Sequence, residues 1–218
     1  NSVRDTGENT ILNSIDCTQT IKINDTTAPV VTGTITESIV SGCSIANAPA
    51  VMTTASALEA AGLTITDNCT ADADLVISSS DGAASGSCPI TFTRTYTIKD
   101  ACNNATTATQ TIKINDTTAP VVTTTVASLD ATLECSNATA IAAALAQAPV
   151  ATDNCTAVPT LNLVSDVTTP NASCANAYQR VRTWNFTDGC GNTSSNFVQT
   201  INVQDTTAPV VRPTAARL

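Results

Sequence analysis

Six aspartates occupy matching places in two stretches of the chain: Asp25, Asp67 and Asp100 in the first, Asp116, Asp153 and Asp188 in the second. Each stands in a short turn-forming string, DTTAP, TDNCT or D-x-C-x-N. Carboxylates in such strings have two chemistries. One is the Asx turn, in which a side-chain oxygen accepts a backbone N–H a little further along and no ion is involved. The other is ligation of Ca²⁺, which collects about six to eight oxygens from carboxylates, amides and carbonyls. Asn68, Asn103, Asn154 and Asn192 stand beside the acids as further oxygen donors. Both readings stand at this point, turn caps or a calcium-stiffened joint.

Whether three acids meet depends on the elements that carry them. DTTAPVV begins at Asp25, Asp116 and Asp205, at intervals of about 90 residues. That exceeds the roughly 20–50 residues of solenoid repeats, so each copy is long enough to bury a small core of its own. The expected division is residues 1–24 as the end of a preceding repeat or a strand-donating extension, 25–115 and 116–204 as two repeats, and 205–218 as the start of a following repeat or a terminal strand.

Within a repeat, Thr-rich runs at 30–36 and 121–127 read as a first strand opened by proline, where a missing N–H is tolerated. Ala-rich segments at 53–61 and 137–147 read as one short helix each. Strands follow at 74–80 and 160–166. In residues 90–98 Thr alternates with larger side chains, which puts Ile90, Phe92, Arg94, Tyr96 and Ile98 on one face. Tyr178, Arg182, Trp184 and Phe186 match them in the second repeat. Arg94 and Arg182 either snorkel or pair at an edge, or serve as buried partners for an Asp. Last strands are expected at 106–115 and 194–202. The fold class is all-β, a tandem of antiparallel immunoglobulin-like sandwiches with one short helix and two disulfides each.

Of nine cysteines, four fall at matching places in each repeat, and Cys17 has no counterpart because Ala108 occupies the aligned position. Strand direction suggests the pairing. If DTTAP marks the top, the first strand carries Cys43 to the bottom, the 90–98 strand rises from Cys88 to Cys102, and Cys69 starts at the top. The expected bridges are Cys43–Cys88 and Cys69–Cys102, then Cys135–Cys174 and Cys155–Cys190. The same reasoning puts each aspartate trio at one top. Thin aliphatic cores with only 3% aromatic residues need such staples, and the staples point to an oxidising extracellular setting.

Composition excludes several functions. The 14 Asp and 4 Glu outweigh 3 Lys and 6 Arg for a net charge of −9, with no basic stripe to neutralise phosphates, so nucleic acid is not an expected partner. Without histidine, and with no base beside a Ser or Thr nucleophile, the chain is not expected to be an enzyme. Zinc lacks its closely spaced cysteine pair, and no apolar run reaches the roughly 18–20 residues that span a bilayer.

In combination, TDNC (66–69 and 152–155), DACNN (100–104), DGCGN (188–192) and DTTAPVV resemble the hyalin-like, HYR-type immunoglobulin-like repeats of large surface adhesins from Bacteroidota. The resemblance covers nearly the whole chain. It implies cargo of type 9 secretion at the cell surface, some of it gliding adhesins or filaments, and O-glycosylation at Thr26, Thr117 and Thr206. The expected role is a stiff, disulfide-stabilised stalk whose partners are neighbouring repeats or like subunits. Two alternatives are a fibre subunit completed by strand exchange and a module binding a glycan or protein on a surface. The second has few aromatics to offer, because Tyr96, Tyr178 and Trp184 fall at inward positions.

Overall fold

The computed structural model describes residues 18–174 and 176–211. Cys17 and most of the two terminal segments lie outside the described residues. The fold is mostly β, and the two repeats build the same strands and α-helix in the same order, the first adding two short 3-10 turns at Ile45–Asn47 and Asp72–Asp74. In the first, β1 (Val30–Gly33), β2 (Ser38–Ser41), α1 (Ala55–Ala60), β3 (Leu63–Thr66), β4 (Val76–Asp81), β5 (Ile90–Lys99) and β6 (Ala105–Asn115) follow one another. In the second they are β7 (Val121–Val122), β8 (Ala131–Glu134), α2 (Ala138–Ala146), β9 (Ala151–Thr152), β10 (Thr160–Pro170), β11 (Tyr178–Thr187) and β12 (Phe197–Gln204). Each repeat has one four-stranded sheet, β2-β6-β5-β4 or β10-β11-β12-β8, and one two-stranded sheet, β1-β3 or β7-β9.

The four-stranded sheets are mixed, which corrects the expectation of antiparallel repeats, while the two-stranded sheets are antiparallel. β2 runs parallel to β6 and β8 parallel to β12. The cause lies in the first strand, which splits between the two sheets. β1 ends at Gly33, where φ is 89° and a Cβ would sit 2.4 Å from the Gly62 carbonyl, a conformation only glycine adopts freely. Beyond it the chain crosses to the larger sheet and lies beside the last strand, which travels in the same direction. A glutamine of the last strand secures each crossing: buried Gln110 Nε2 donates to the Thr36 carbonyl at 3.1 Å, and buried Gln199 Nε2 to that of Leu129 at 2.8 Å.

The helices begin where side chains can cap them. Thr54 Oγ1 accepts from Ala57 N at 3.2 Å, and Asn137 Oδ1 from Ala140 N at 3.0 Å.

Cα packing divides the chain into two compact units. One holds the described residues through Ile35 with Met52–Ser79 and Tyr96–Ala108, and the other Thr36–Val51, Ser80–Thr95 and the described residues from Thr109. The first unit packs Leu58, Leu63, Ile65, Tyr96 and Ile98 in one cluster, and the Tyr96 hydroxyl accepts from Met52 N at 3.5 Å. In the second unit Phe92, Ile112 and Ile114 form one cluster, and Ala144, Ile201 and Val203 another, against which Tyr178 packs. The joint between Asn115 and Asp116 lies inside this second unit.

Alternation along β5 buries Phe92, Arg94, Tyr96 and Ile98 together. Arg94, 4% exposed, grips a carboxylate and does not snorkel. Its Nε and Nη2 donate to Asp81 Oδ1 and Oδ2 at 2.6 and 2.9 Å, and Nη1 to the Pro49 carbonyl at 2.8 Å. In the second repeat the bidentate pair belongs instead to Arg180 and Asp166, at 2.6 and 2.7 Å. Arg182 there stacks 4.4 Å over the Trp184 ring and donates to the Leu145 carbonyl at 2.9 Å.

Candidate calcium-binding turns

Each aspartate trio is assembled from three turns. Asp25 and Asp116 open the DTTAP strings, Asp67 and Asp153 lead the TDNCT turns after β3 and β9, and Asp100 and Asp188 close β5 and β11. Within each trio, carboxylate oxygens lie within 4.8 Å of one another. Asp100, Asp116 and Asp188 are buried, and the other three are half-buried.

Turn capping accounts for only part of these oxygens. Asp67 Oδ1 accepts from the N–H groups of Cys69 and Thr70 at 3.0 and 2.7 Å, and Asp153 Oδ2 accepts likewise from Cys155 and Thr156 at 2.9 and 2.7 Å. Asp25 Oδ1 caps Thr27 and Asp116 Oδ1 caps Thr118, both at 3.0 Å. The remaining oxygen of each, Asp25 Oδ2, Asp67 Oδ2, Asp116 Oδ2 and Asp153 Oδ1, is buried without a hydrogen-bond donor. A buried anionic oxygen with no donor is costly, and each trio holds two. Such a donor set suits a hard divalent cation.

The asparagines take a different part from the one expected. Asn68 and Asn154 turn amide nitrogens, not oxygens, toward the acids, 3.4 and 3.3 Å from Asp25 Oδ1 and Asp116 Oδ1. Asn192 Nδ2 donates to Asp188 Oδ2 and the Asp116 carbonyl at 2.7 and 3.0 Å. Asn103 is exposed at φ 72°, matching Gly191 at φ 88°, so its role is the left-handed turn. Asn104 is the true counterpart of Asn192 and donates to Asp100 Oδ2 and the Asp25 carbonyl at 2.7 and 3.1 Å. Aligning D-x-C-x-N by its last letter picks out this residue. Thr70 and Thr156 were also missed in sequence, and their hydroxyls accept from Ala101 N and Gly189 N at 3.3 and 3.0 Å, locking two turns together.

Loss of solvent alone pushes the Asp188 carboxyl up, but hydrogen bonds from Asn192, Cys190 and Gly191 together hold it below its ordinary value. Because charge-assisted hydrogen bonds are the strong ones, Asn104→Ala and Asn192→Ala are each expected to destabilise by about 2 kcal/mol in urea titrations. Asn103→Gly is expected to be neutral or slightly stabilising, since glycine accepts the same turn without strain.

The disulfides correct the expected connectivity. Cys43 joins Cys155 and Cys88 joins Cys190, so both bridges run from the first repeat to the second and neither closes within one. Cys69, Cys102, Cys135 and Cys174 are thiols. The directional argument placed Cys43 and Cys88 at the end of one repeat and Cys155 and Cys190 at the start of the next. Those two ends meet at the joint, where the partner across it is the one each sulfur reaches. Partial desolvation and then Asp25 push the Cys69 thiol up, and desolvation and then Asp205 do the same to Cys135.

Thr26, Thr117 and Thr206 are exposed. A groove of about 510 Å³ on the second repeat is lined by Thr132, Pro170, Tyr178, Asn202 and Gln204, so half-buried Tyr178 also shows one side to solvent. Among the described residues no helix is long and apolar enough to cross a membrane.

Residues 123–203 match the family described as the HYR-like domain with four cysteines. That span holds Cys135, Cys155, Cys174 and Cys190, each with a counterpart in the first repeat. No curated protein matches the chain. Among solved structures, Drosophila N-cadherin EC1-4 is similar at 8% identity and a TM-score of 0.39, over 82% of this chain and 50% of that one. A protocadherin gammaB7 EC3-6 cis-dimer is similar at 12% identity and a TM-score of 0.31, over 82% of this chain and 51% of that one. The chain thus spans about half the length of these structures.

Proposed function

We propose that the chain is a non-enzymatic structural repeat segment of an extracellular adhesin or filament, stiffened at its joints by Ca²⁺ and disulfides. The observation that carries the reading is the duplicated aspartate trio with its two buried, donorless oxygens per site. Asp25, Asp67 and Asp100 hold one ion and Asp116, Asp153 and Asp188 the other, with Asn104 and Asn192 orienting the acids. Ca²⁺ would supply the positive charge that lets three carboxylates share one place. The second trio draws its ligands from the joint itself and from two turns of the following repeat, so an occupied site fixes the direction in which that repeat leaves. The match of 123–203 to an HYR-like domain supports a surface role, and exposed Thr26, Thr117 and Thr206 would carry O-linked sugar.

Calcium titration tests the reading. With free Ca²⁺ at about 100 times Kd, each occupied site is expected to stabilise by about 2.7 kcal/mol, read as a higher melting temperature that chelator reverses. Asp116→Asn with Asp153→Asn is expected to remove one of two bound ions in calorimetry. An unchanged melting temperature in calcium and chelator would mean that the acids are turn caps alone.

A further inference from the structure

The two bridges at the joint are built from four cysteines of four different sequence contexts, and the four thiols that remain among the described residues repeat those contexts one for one. Cys69 of TDNCT corresponds to Cys155, Cys102 of DACNN to Cys190, Cys135 to Cys43 and Cys174 to Cys88. From this correspondence we infer that Cys69 with Cys102, and Cys135 with Cys174, are the two complementary halves of a cross-joint linkage. Each pair bonds the opposite pair of an adjoining repeat of this same kind, Cys135 to a Cys69-type sulfur and Cys174 to a Cys102-type sulfur.

The upper half is already built like the linked joint, and in the lower half Cys135 stands at the register position of Gly42, one residue before that of Cys43. At that joint Asn154 Nδ2 lies 2.9 Å from Cys155 Sγ, 3.4 Å from Cys43 Sγ and 3.3 Å from Asp116 Oδ1. Asn68 Nδ2 repeats the arrangement at the start of the first repeat, 3.2 Å from Cys69 Sγ and 3.4 Å from Asp25 Oδ1. Cys69 and Cys102 are exposed there. At the far end of the second repeat, Cys135 N donates to the Gln204 carbonyl at 2.8 Å, as Gly42 N beside Cys43 donates to that of Asn115 at 3.2 Å. The next DTTAP string is seated there too: Thr206 N and Oγ1 donate to Glu134 Oε1 and Oε2 at 2.9 and 2.8 Å. Glu134, Cys135 and Asp205 therefore stand together as the lower half of a further joint.

Each linkage takes two thiols to one S–S bond. The two electrons and two protons pass to a small-molecule disulfide oxidant, which leaves as two thiols, through a mixed disulfide that the second protein sulfur resolves. The consequence is an array in which every joint carries two covalent cross-ties and no repeat closes a bridge upon itself.

The test uses the 218-residue chain and a version lengthened by a second copy of residues 116–204 after Gln204. Both are reduced, reoxidised with oxidised glutathione, digested without reductant and mapped by mass spectrometry. In the lengthened chain Cys135 is expected to bond Cys155 of the appended copy, and Cys174 its Cys190, with loss of four free thiols. Dimers of the 218-residue chain joined Cys69 to Cys135 support the inference with a second molecule as the adjoining repeat. Linkage confined to the lengthened chain supports it with a repeat of the same polypeptide. Peptides joining Cys69 to Cys102 or Cys135 to Cys174 overturn it, and so does a lengthened chain that keeps all its remaining thiols free.

Discussion

Replacing Cys43 and Cys155 together by serine is expected to lower the stability of the second compact unit by about 4 kcal/mol in urea, the largest effect of any change considered. The bridge spans 112 residues of sequence and the other 102, and cross-links of roughly 100-residue loops remove about 4–5 kcal/mol of unfolded-chain entropy in the loop-closure description. Such a loss rivals the whole net stability of a small domain, about 5–15 kcal/mol. What opens first is as telling as how much is lost. The cluster around Leu58, Tyr96 and Ile98 contains no disulfide, so reduction is expected to raise hydrogen exchange at the turns carrying Asp116, Asp153 and Asp188 while Tyr96 and Ile98 stay protected. Equal loss of protection at both places would show that the bridges hold the repeats together internally after all.

Asp81→Ala is expected to cost about 3 kcal/mol, because it strands the Arg94 guanidinium in a site 4% exposed. Asp81 itself is 43% exposed, which keeps the cost at the low end for a broken buried pair. Charge, not size, sets the outcome: Asp81→Ala with Arg94→Met is expected to recover part of the loss, since no buried charge is left unpaired although the Pro49 carbonyl loses its Arg94 donor. The same contact sets an acid dependence. The Arg94 hydrogen bond holds the Asp81 carboxyl below its ordinary value, and Arg180 does the same for Asp166. A carboxyl whose folded value lies below its unfolded one, about 4, stabilises fully above that pH. The contribution falls away as pH drops through the folded value, so unfolding free energy measured from pH 5 downward is expected to decline, and less steeply in the Asp81→Ala, Arg94→Met double variant. An identical slope in both would remove Asp81 from the account.

The parts of this molecule that were legible in sequence are those where a local rule acts alone. Period-two alternation placed Phe92, Tyr96 and Ile98 on one buried face because a strand has no other way to arrange them. The Ala-rich runs after Thr54 and Asn137 gave helices because those side chains cap them. The aspartate trios came from strand direction, which also set each cysteine at one end or the other. What direction does not supply is adjacency. The split of the first strand depends on a backbone twist at Gly33 and on Gln110 reaching the Thr36 carbonyl, neither of which leaves a periodic trace. Cysteine connectivity was beyond reach for a related reason: four sulfurs gather at one joint, and the choice among them turns on a few ångströms. Asn103 misled because it is a polar side chain next to Cys102 doing the work of a glycine.

The parallel seating of β2 on β6, and of β8 on β12, bears on how the molecule carries load. β2 lies near the entry of its repeat and β6 ends at its exit, so once the bridges are reduced tension along the polypeptide draws the two strands past each other lengthwise, whereas a closed Cys43–Cys155 bond carries it past β6. A ladder pulled that way is sheared, and its hydrogen bonds between Ser38–Ser41 and Ile112–Asn115 must give way together. Bonds peeled from one end fail singly and at lower force. The same holds for Ala131–Glu134 against Ile201–Gln204. With its bridges open, each repeat thus meets a stretching force in a shearing geometry.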